Sequence, residues 1–170
     1  MENVVTYPIA KQTYTMSIAP LEGQVQGDDS VAARTSDGQE IFVDASVIYA
    51  LDPSKVIQVH VAWQDRYSDD LVRPLSRGVI RDSVSQFRVD EVYSSKRDEM
   101  SAEIEEELVS KFSENGLILG DFILRNITLT PEYAASVEQK QIAEQLAQQA
   151  RFVVDQRKQE AEQARQVAQG

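Results

Sequence analysis

The chain has no cysteine and a single histidine, His60. The lack of cysteine excludes disulfide scaffolds, thiol catalysis and thiolate metal sites. A single histidine excludes every metal site that needs two imidazole ligands, as histidine-rich zinc centres do. We therefore expect neither a metal nor a cofactor.

Basic residues are scarce: 17 Lys and Arg stand against 28 Asp and Glu, a net charge of −11 over 170 residues. Nucleic acid is excluded as a partner, because a phosphate backbone needs a compensating basic surface. Long apolar runs are also missing, since the best candidates, 47–51 and 117–119, are far shorter than the roughly 18 residues that span a bilayer. No signal-peptide pattern is present, so we expect a soluble chain.

The usual catalytic motifs are absent, including the Gly-x-Ser-x-Gly elbow, a glycine-rich phosphate loop, the His-Glu-x-x-His pair and a calcium loop. Asp28 and Asp29 follow Gly27, and we interpret them as a solvated turn. We interpret His60 as a packed or interfacial residue, because a lone histidine without a nearby nucleophile supports no acid–base mechanism. The sequence therefore predicts a protein that is not an enzyme.

Composition divides the chain in two. Residues 131–170 hold ten Gln and eight Ala and carry a net charge of −1, so residues 1–130 carry about −10. We predict a folded domain over 1–130 and the start of an extended helix over 131–170.

Three strands are predicted first, over 7–18, 30–36 and 39–51, with the Asp37-Gly38 dipeptide as a hairpin turn between the last two. The third strand alternates well. One of its faces carries Ile41, Val43, Ala45, Val47, Tyr49 and Leu51. Asp52 and Pro53 then predict a helix start, as N-cap and first helical residue.

Three helices follow in the prediction. The first passes through Val56, Val59 and Trp63, and the second is capped by Ser68 and runs to about Phe87. The third starts at a capping box over 95–98 and ends at Gly116. Its apolar face consists of Met100, Ile104, Leu108 and Phe112. Residues 117–129 are apolar on both faces and predict a buried, mainly central strand. The order predicts an α+β domain with a mainly antiparallel sheet and helices packed on it.

Thr130, Pro131 and Glu132 predict the start of the last helix, and no breaker follows before Gly170. Its apolar seam consists of Ala143, Leu146, Ala150, Val153, Ala161, Ala164 and Ala168, interrupted by Arg157. The intervals fit an eleven-residue repeat better than heptads. Alanine is too small for a tight leucine-type dimer, so we predict close side-by-side contact between copies, the alternative being a solvated single helix.

Three arginines, Arg73, Arg77 and Arg81, recur every four residues and share one helix face, where like charges repel. Three interpretations remain open. The arginines pair with acids inside the domain, they bind anionic lipid headgroups, or they meet the acidic helix of a neighbouring copy in a head-to-tail ring contact. For the ring contact, the predicted carboxylates are Glu99, Glu103 and Glu106.

Several stretches, taken in order, resemble the SPFH/band 7 family of stomatins, prohibitins and flotillins, with the prohibitin-like branch the most similar. These stretches are RTSDGQEIFVDASVIYALDP at 34–53, RPLSRGVIRD at 73–82, EVYSSKR at 91–97, GLILGDFILRNI at 116–127 and EQKQIAE at 138–144.

The resemblance implies an α+β SPFH domain followed by a coiled-coil assembly helix. It also implies a membrane scaffold that forms homo-oligomeric rings or cages, alone or with a close paralogue, organises microdomains and confines membrane proteins such as AAA proteases. Relatives usually begin with a membrane anchor that this sequence lacks, so we expect either a soluble piece whose full-length form is membrane-associated or a relative that partners anchor to the membrane. The alternative function is a soluble helical adaptor that binds partner coiled coils without forming rings.

Overall fold

The computed structural model describes residues 3–169. The chain forms two compact units, one ending at Thr128 and the other beginning at Leu129. Each unit is described by itself.

The first unit is built around strand β3, Glu40–Leu51. Strand β1, Gln12–Met16, pairs antiparallel with the second half of β3, and strand β2, Val31–Arg34, pairs antiparallel with its first half. The twelve-residue β3 is long enough to pair with β1 and β2 in succession, and its existence as a strand confirms what its alternation predicts.

Strand β4, Leu117–Leu129, also pairs with β3. The amide of Asp52 donates to the carbonyl of Gly116 at 3.0 Å, and Gly120 lies against the backbone of Ile48. Moving four residues back along β3 therefore moves four residues forward along β4, which means that this pair is antiparallel too. The predicted α+β class with a mainly antiparallel sheet is confirmed.

The core lies between the predicted apolar face of β3 and helix α3, Arg97–Glu114. Every residue of both predicted faces is buried, and the rings of Tyr49 and Phe112 meet edge to face with centroids 6.4 Å apart. Helix α1, Val56–Trp63, contributes buried Val59, and helix α2, Arg73–Val84, packs on α3 and on β2.

The predicted caps have different outcomes. Asp52 caps its turn as predicted, because its carboxylate accepts the amide of Ser54 at 3.0 Å. Ser68 caps nothing; it opens a π-helical turn over Ser68–Val72, and its hydroxyl hydrogen-bonds with that of Tyr49 at 2.7 Å. The prediction of a capping box over 95–98 is also wrong. Glu91–Ser95 forms a second π-helical turn, and α3 begins at Arg97 without a side-chain cap.

Two predicted strands need correction. The first is shorter than predicted, since β1 begins at Gln12 and Tyr7 instead places its hydroxyl on Nδ1 of His60. Pro8, which has no N–H for a strand ladder, accounts for the late start. Strand β4 is not central, because within residues 3–169 it pairs with β3 only. It exposes 49% of Ile118 and 42% of Ile123, so apolar residues on both faces did not mean burial of both.

The second unit is helix α4, Pro131–Gln169, which has 39 residues and buries none of them. It begins where predicted, and the hydroxyl of Thr130 accepts the amide of Tyr133 at 3.3 Å. Among the helices of residues 3–169, none combines the length and the apolar character needed to cross a membrane.

Candidate assembly surfaces

Two of the three arginines of α2 bind a buried carboxylate in their own chain. Arg73 donates from Nη2 to Oδ1 of Asp29 at 2.5 Å, and Nη1 of Arg77 lies 3.4 Å from the same oxygen. The Asp29 side chain is only 4% exposed, so the interpretation of this residue as part of a solvated turn is wrong. Its neighbour Asp28 does have the predicted turn role, because it is exposed and accepts the amide of Ser30 at 3.0 Å.

Arg77 and Arg81 also bind the backbone at the start of β2. Arg77 donates to the carbonyls of Asp29 at 3.0 Å and Ser30 at 3.1 Å. Arg81 donates through Nε to the carbonyl of Ala32 at 3.1 Å. These bonds hold α2 against β2, and they occupy backbone acceptors that an additional strand would otherwise use. The spacing of four residues therefore places all three arginines along the segment 29–32, Arg73 on the Asp29 carboxylate and the other two on backbone carbonyls.

Burial and hydrogen bonding shift the pKa values of three side chains beside Asp29. The hydrogen bond to Asp29 raises the pKa of Arg73, whereas burial lowers the pKa of Arg77. Burial also raises the pKa of Tyr14, whose hydroxyl is buried beside these charges. All three shifts leave the groups in their ordinary state at neutral pH, with both arginines charged and the tyrosine neutral.

The acidic face of α3, defined as Glu99, Glu103 and Glu106, is exposed. Within the described residues no Lys or Arg nitrogen lies within 4.0 Å of these three carboxylates. The nearby lysines pair elsewhere, Lys96 with Glu91 at 3.0 Å and Lys111 with Glu107 at 3.7 Å. The structure therefore does not bring the arginines and the acidic face together in one chain.

The predicted seam of α4 is exposed along its whole length. This covers Ala143, Leu146, Ala150, Val153, Ala161 and Ala164. A single helix with an exposed apolar stripe gains little stability from its own turns, since packing supplies most helical stability. The seam remains a predicted interface.

Sequence reasoning missed two residues of these surfaces. Asp29 could have been found by asking which acid neutralises three arginines on one face, but its position 44 residues before Arg73 hid it. Phe152 was missed because it lies outside the alanine seam, although its side chain is 70% exposed on α4.

Comparison with known proteins identifies the family of this chain. Residues 1–168 match the SPFH domain / Band 7 family. The chain belongs to that family. The match covers the SPFH-type domain and nearly all of α4, which confirms the resemblance that the ordered stretches indicated.

Prohibitins are among the similar proteins. Prohibitin 1 of Drosophila melanogaster is 27% identical over 130 residues, which is 76% of this chain and 47% of that protein. Prohibitin-1 of Schizosaccharomyces pombe is 29% identical over 74% of this chain and 44% of its own length. Prohibitin-2 of Saccharomyces cerevisiae is 30% identical over 74% of this chain and 40% of its own length. This SPFH chain thus spans less than half the length of the prohibitins it matches.

Proposed function

We propose that this SPFH chain is the assembly part of a non-enzymatic, membrane-associated scaffold. Copies of the chain, alone or with a close paralogue, form rings or cages that organise microdomains and confine membrane proteins such as AAA proteases. The observation that carries this proposal is helix α4, which buries none of its 39 residues while one face repeats small apolar side chains. Many weak lateral contacts between such helices add up to a stable wall.

In the proposed assembly, a membrane protein is confined because the ring or cage of subunits encloses it. A closed wall holds an enclosed membrane protein by its dimensions, so it needs no pocket or catalytic group. The match to the SPFH family and the similarity to prohibitins support the membrane-scaffold class.

Sedimentation velocity of the purified 19.1 kDa chain tests the assembly. We expect a species of several subunits for the native sequence, and a shift towards single subunits for Ala150→Lys, which places a charge in the seam. Asp155→Lys is the matched control, because it changes the charge by more but lies away from the seam, and it should leave the mass unchanged.

Monomers at all concentrations for the native sequence would refute assembly by this chain. If those monomers also form stable complexes with added partner helices, the adaptor function replaces the ring. An equal effect of Ala150→Lys and Asp155→Lys would show that the seam is not the contact.

The lateral contact in the first unit remains part of the proposal, in a narrower form. Arg73 and Arg77 form ion pairs with Asp29 in their own chain. Reversing the charge of either residue would therefore destabilise the fold, whatever its effect on assembly. Arg81 is exposed, uses one of its five donors on Ala32, and is free to meet the acidic face of a neighbour.

Reversing the charge at Arg81 tests this contact. Arg81→Glu should reduce the sedimenting mass in low salt, because two acidic surfaces would then oppose each other, and the effect should shrink as salt screens them. Arg88→Glu serves as the control at another exposed arginine. An unchanged mass for Arg81→Glu removes this contact from the proposal.

A further inference from the structure

Helix α4 has an unusual stripe opposite its apolar seam. At about 100° per residue, a position two residues from Ala150 lies about 200° around the helix, on the opposite side. The stripe that passes through this position consists of Gln141, Gln145, Gln148, Phe152, Gln156, Gln159, Gln163 and Gln166. We call it the glutamine stripe; its intervals of three and four repeat those of the seam.

Phe152 is the one apolar member of this stripe, and it is exposed to 70%. Gln145, Gln148 and Gln149 surround it in a shallow surface depression together with Val153. A large aromatic side chain in the middle of an uncharged polar stripe is typical of a residue that anchors a protein contact. Burying its ring contributes more binding free energy than burying any other side chain on such a face.

Most charged residues of α4 lie on a third stripe. Seven of its eleven charged residues lie on one flank, between the seam and the glutamine stripe: Lys140, Glu144, Arg151, Asp155, Lys158, Glu162 and Arg165. A helix surrounded by water would have no reason to keep two opposite faces almost free of charge. One flank therefore serves solubility, while the seam and the glutamine stripe remain for contact.

We infer that the glutamine stripe is a second contact face, and that its occupant is the alanine seam of a second copy of this chain. Each helix then presents its seam to one neighbour and Phe152 to the other. This inference rests on the proposed assembly, which needs two different faces, because a head-to-tail arrangement repeats one heterologous contact around the ring. A seam that met only another seam would stop at a pair.

Size complementarity places Phe152 on Ala150 of the neighbour. In a ring whose helices run along the rotation axis, neighbouring helices are parallel and have equal residues at equal height. Long helical side chains lean towards the N-terminus, so Phe152 covers the level of residue 150, about 3 Å below it. There the seam has only a methyl group, which leaves room for a phenyl ring between closely spaced helices.

Cysteine cross-linking tests this arrangement on the full chain, which contains no cysteine of its own. Ala143 and Gln145 stand in the same relation as Ala150 and Phe152, and they leave Phe152 in place. In helices 8–10 Å apart, their Cα atoms would be about 4.5–6 Å from each other across the contact, within disulfide range. The chain is bound through an N-terminal histidine tag to phosphatidylcholine vesicles that contain a nickel-chelating lipid, and is then oxidised.

We expect the Ala143→Cys/Gln145→Cys variant to give a ladder of dimers, trimers and higher bands, and each single variant to give none. A mixture of the two single variants should stop at dimers. Ala143→Cys/Glu144→Cys is the matched control, since residue 144 lies on the charged flank. Adding Phe152→Gln to the double variant should reduce the ladder about tenfold, the loss expected when an interface anchor is removed.

Dimers from Ala143→Cys alone would show that seams pair with seams, which overturns the second face while the proposed assembly stands. An unchanged ladder after Phe152→Gln would overturn the role of Phe152. The absence of any cross-link from a chain that still sediments as an oligomer would overturn the inference as well. A chain that sediments only as a monomer refutes the proposed assembly itself, and the inference with it.

Discussion

Replacing Asp29 with alanine should lower the free energy of unfolding by about 3 kcal/mol, because it leaves a largely buried guanidinium without its counter-charge. Arg77 is 15% exposed and depends on this carboxylate, while Arg73, at 33%, can turn towards water. The expected loss therefore lies at the lower end of the range for buried ion pairs. Urea unfolding measures it as a lower midpoint with an unchanged slope.

The neighbouring aspartate supplies the control. Asp28→Asn keeps an oxygen that can accept the amide and hydroxyl of Ser30, so it should change stability by less than about 0.5 kcal/mol. Equal effects of the two substitutions would mean that the Asp29 cluster contributes no more than an ordinary surface turn. The comparison also shows how much the contact between Asp29 and Arg77 contributes to folding, so that a loss of stability is not mistaken for a loss of assembly.

Sequence periodicity was enough to predict the centre of the fold. Strand β3 has an apolar residue at every second position from Ile41 to Leu51, and α3 repeats an apolar residue every four positions from Met100 to Phe112. Both patterns report a face that must be buried, and burial is what holds these two elements together. Asp52 was predictable for a similar reason, since its cap is formed with a residue two positions away.

Contacts between distant parts of the chain were not predictable in this way. The bond between Asp29 and Arg73 joins residues 44 positions apart, so no local pattern distinguishes it from a solvated turn. The same holds for Ser68, which has the local signature of a cap but uses its hydroxyl on Tyr49 of β3. A polar side chain near a helix start has several available partners, and the tertiary structure selects among them.

The candidate surfaces differ in the same way, because one could be predicted from local spacing and the other could not. The seam of α4 is predicted from spacing alone, and in the described part of the chain no residue of α4 is buried. The arginine face of α2 needed the structure, which directs Arg73 and Arg77 inward and leaves Arg81 exposed. Three arginines with identical spacing thus have different roles, and only the exposed one remains a simple candidate for a neighbour.

The turn between α3 and β4 should tolerate no side chain at its glycine. Gly116→Ala is expected to lower the free energy of unfolding by about 3 kcal/mol, for two additive reasons. The residue has φ of +81°, which disfavours any L side chain, and a Cβ there would lie 2.7 Å from Cγ2 of buried Val59. Its carbonyl also accepts the amide of Asp52, so the backbone cannot move away without breaking that bond.

Gly78→Ala is the matched control, since it makes the same change inside α2, where a Cβ would have no neighbour within 4 Å. It should raise stability by about 0.5–1 kcal/mol, as alanine does in a helix interior. Adding Gly116→Ala to a Val59→Ala chain should cost at least about 1 kcal/mol less than adding it to the native chain, because the steric part is then removed. Effects of the same sign at the two glycines in thermal unfolding would contradict this account. An unchanged cost in the Val59→Ala chain would assign the whole penalty to backbone conformation. The turn would then hold β4 beside β3 through its φ angle and its bond to Asp52, without help from the packing of α1.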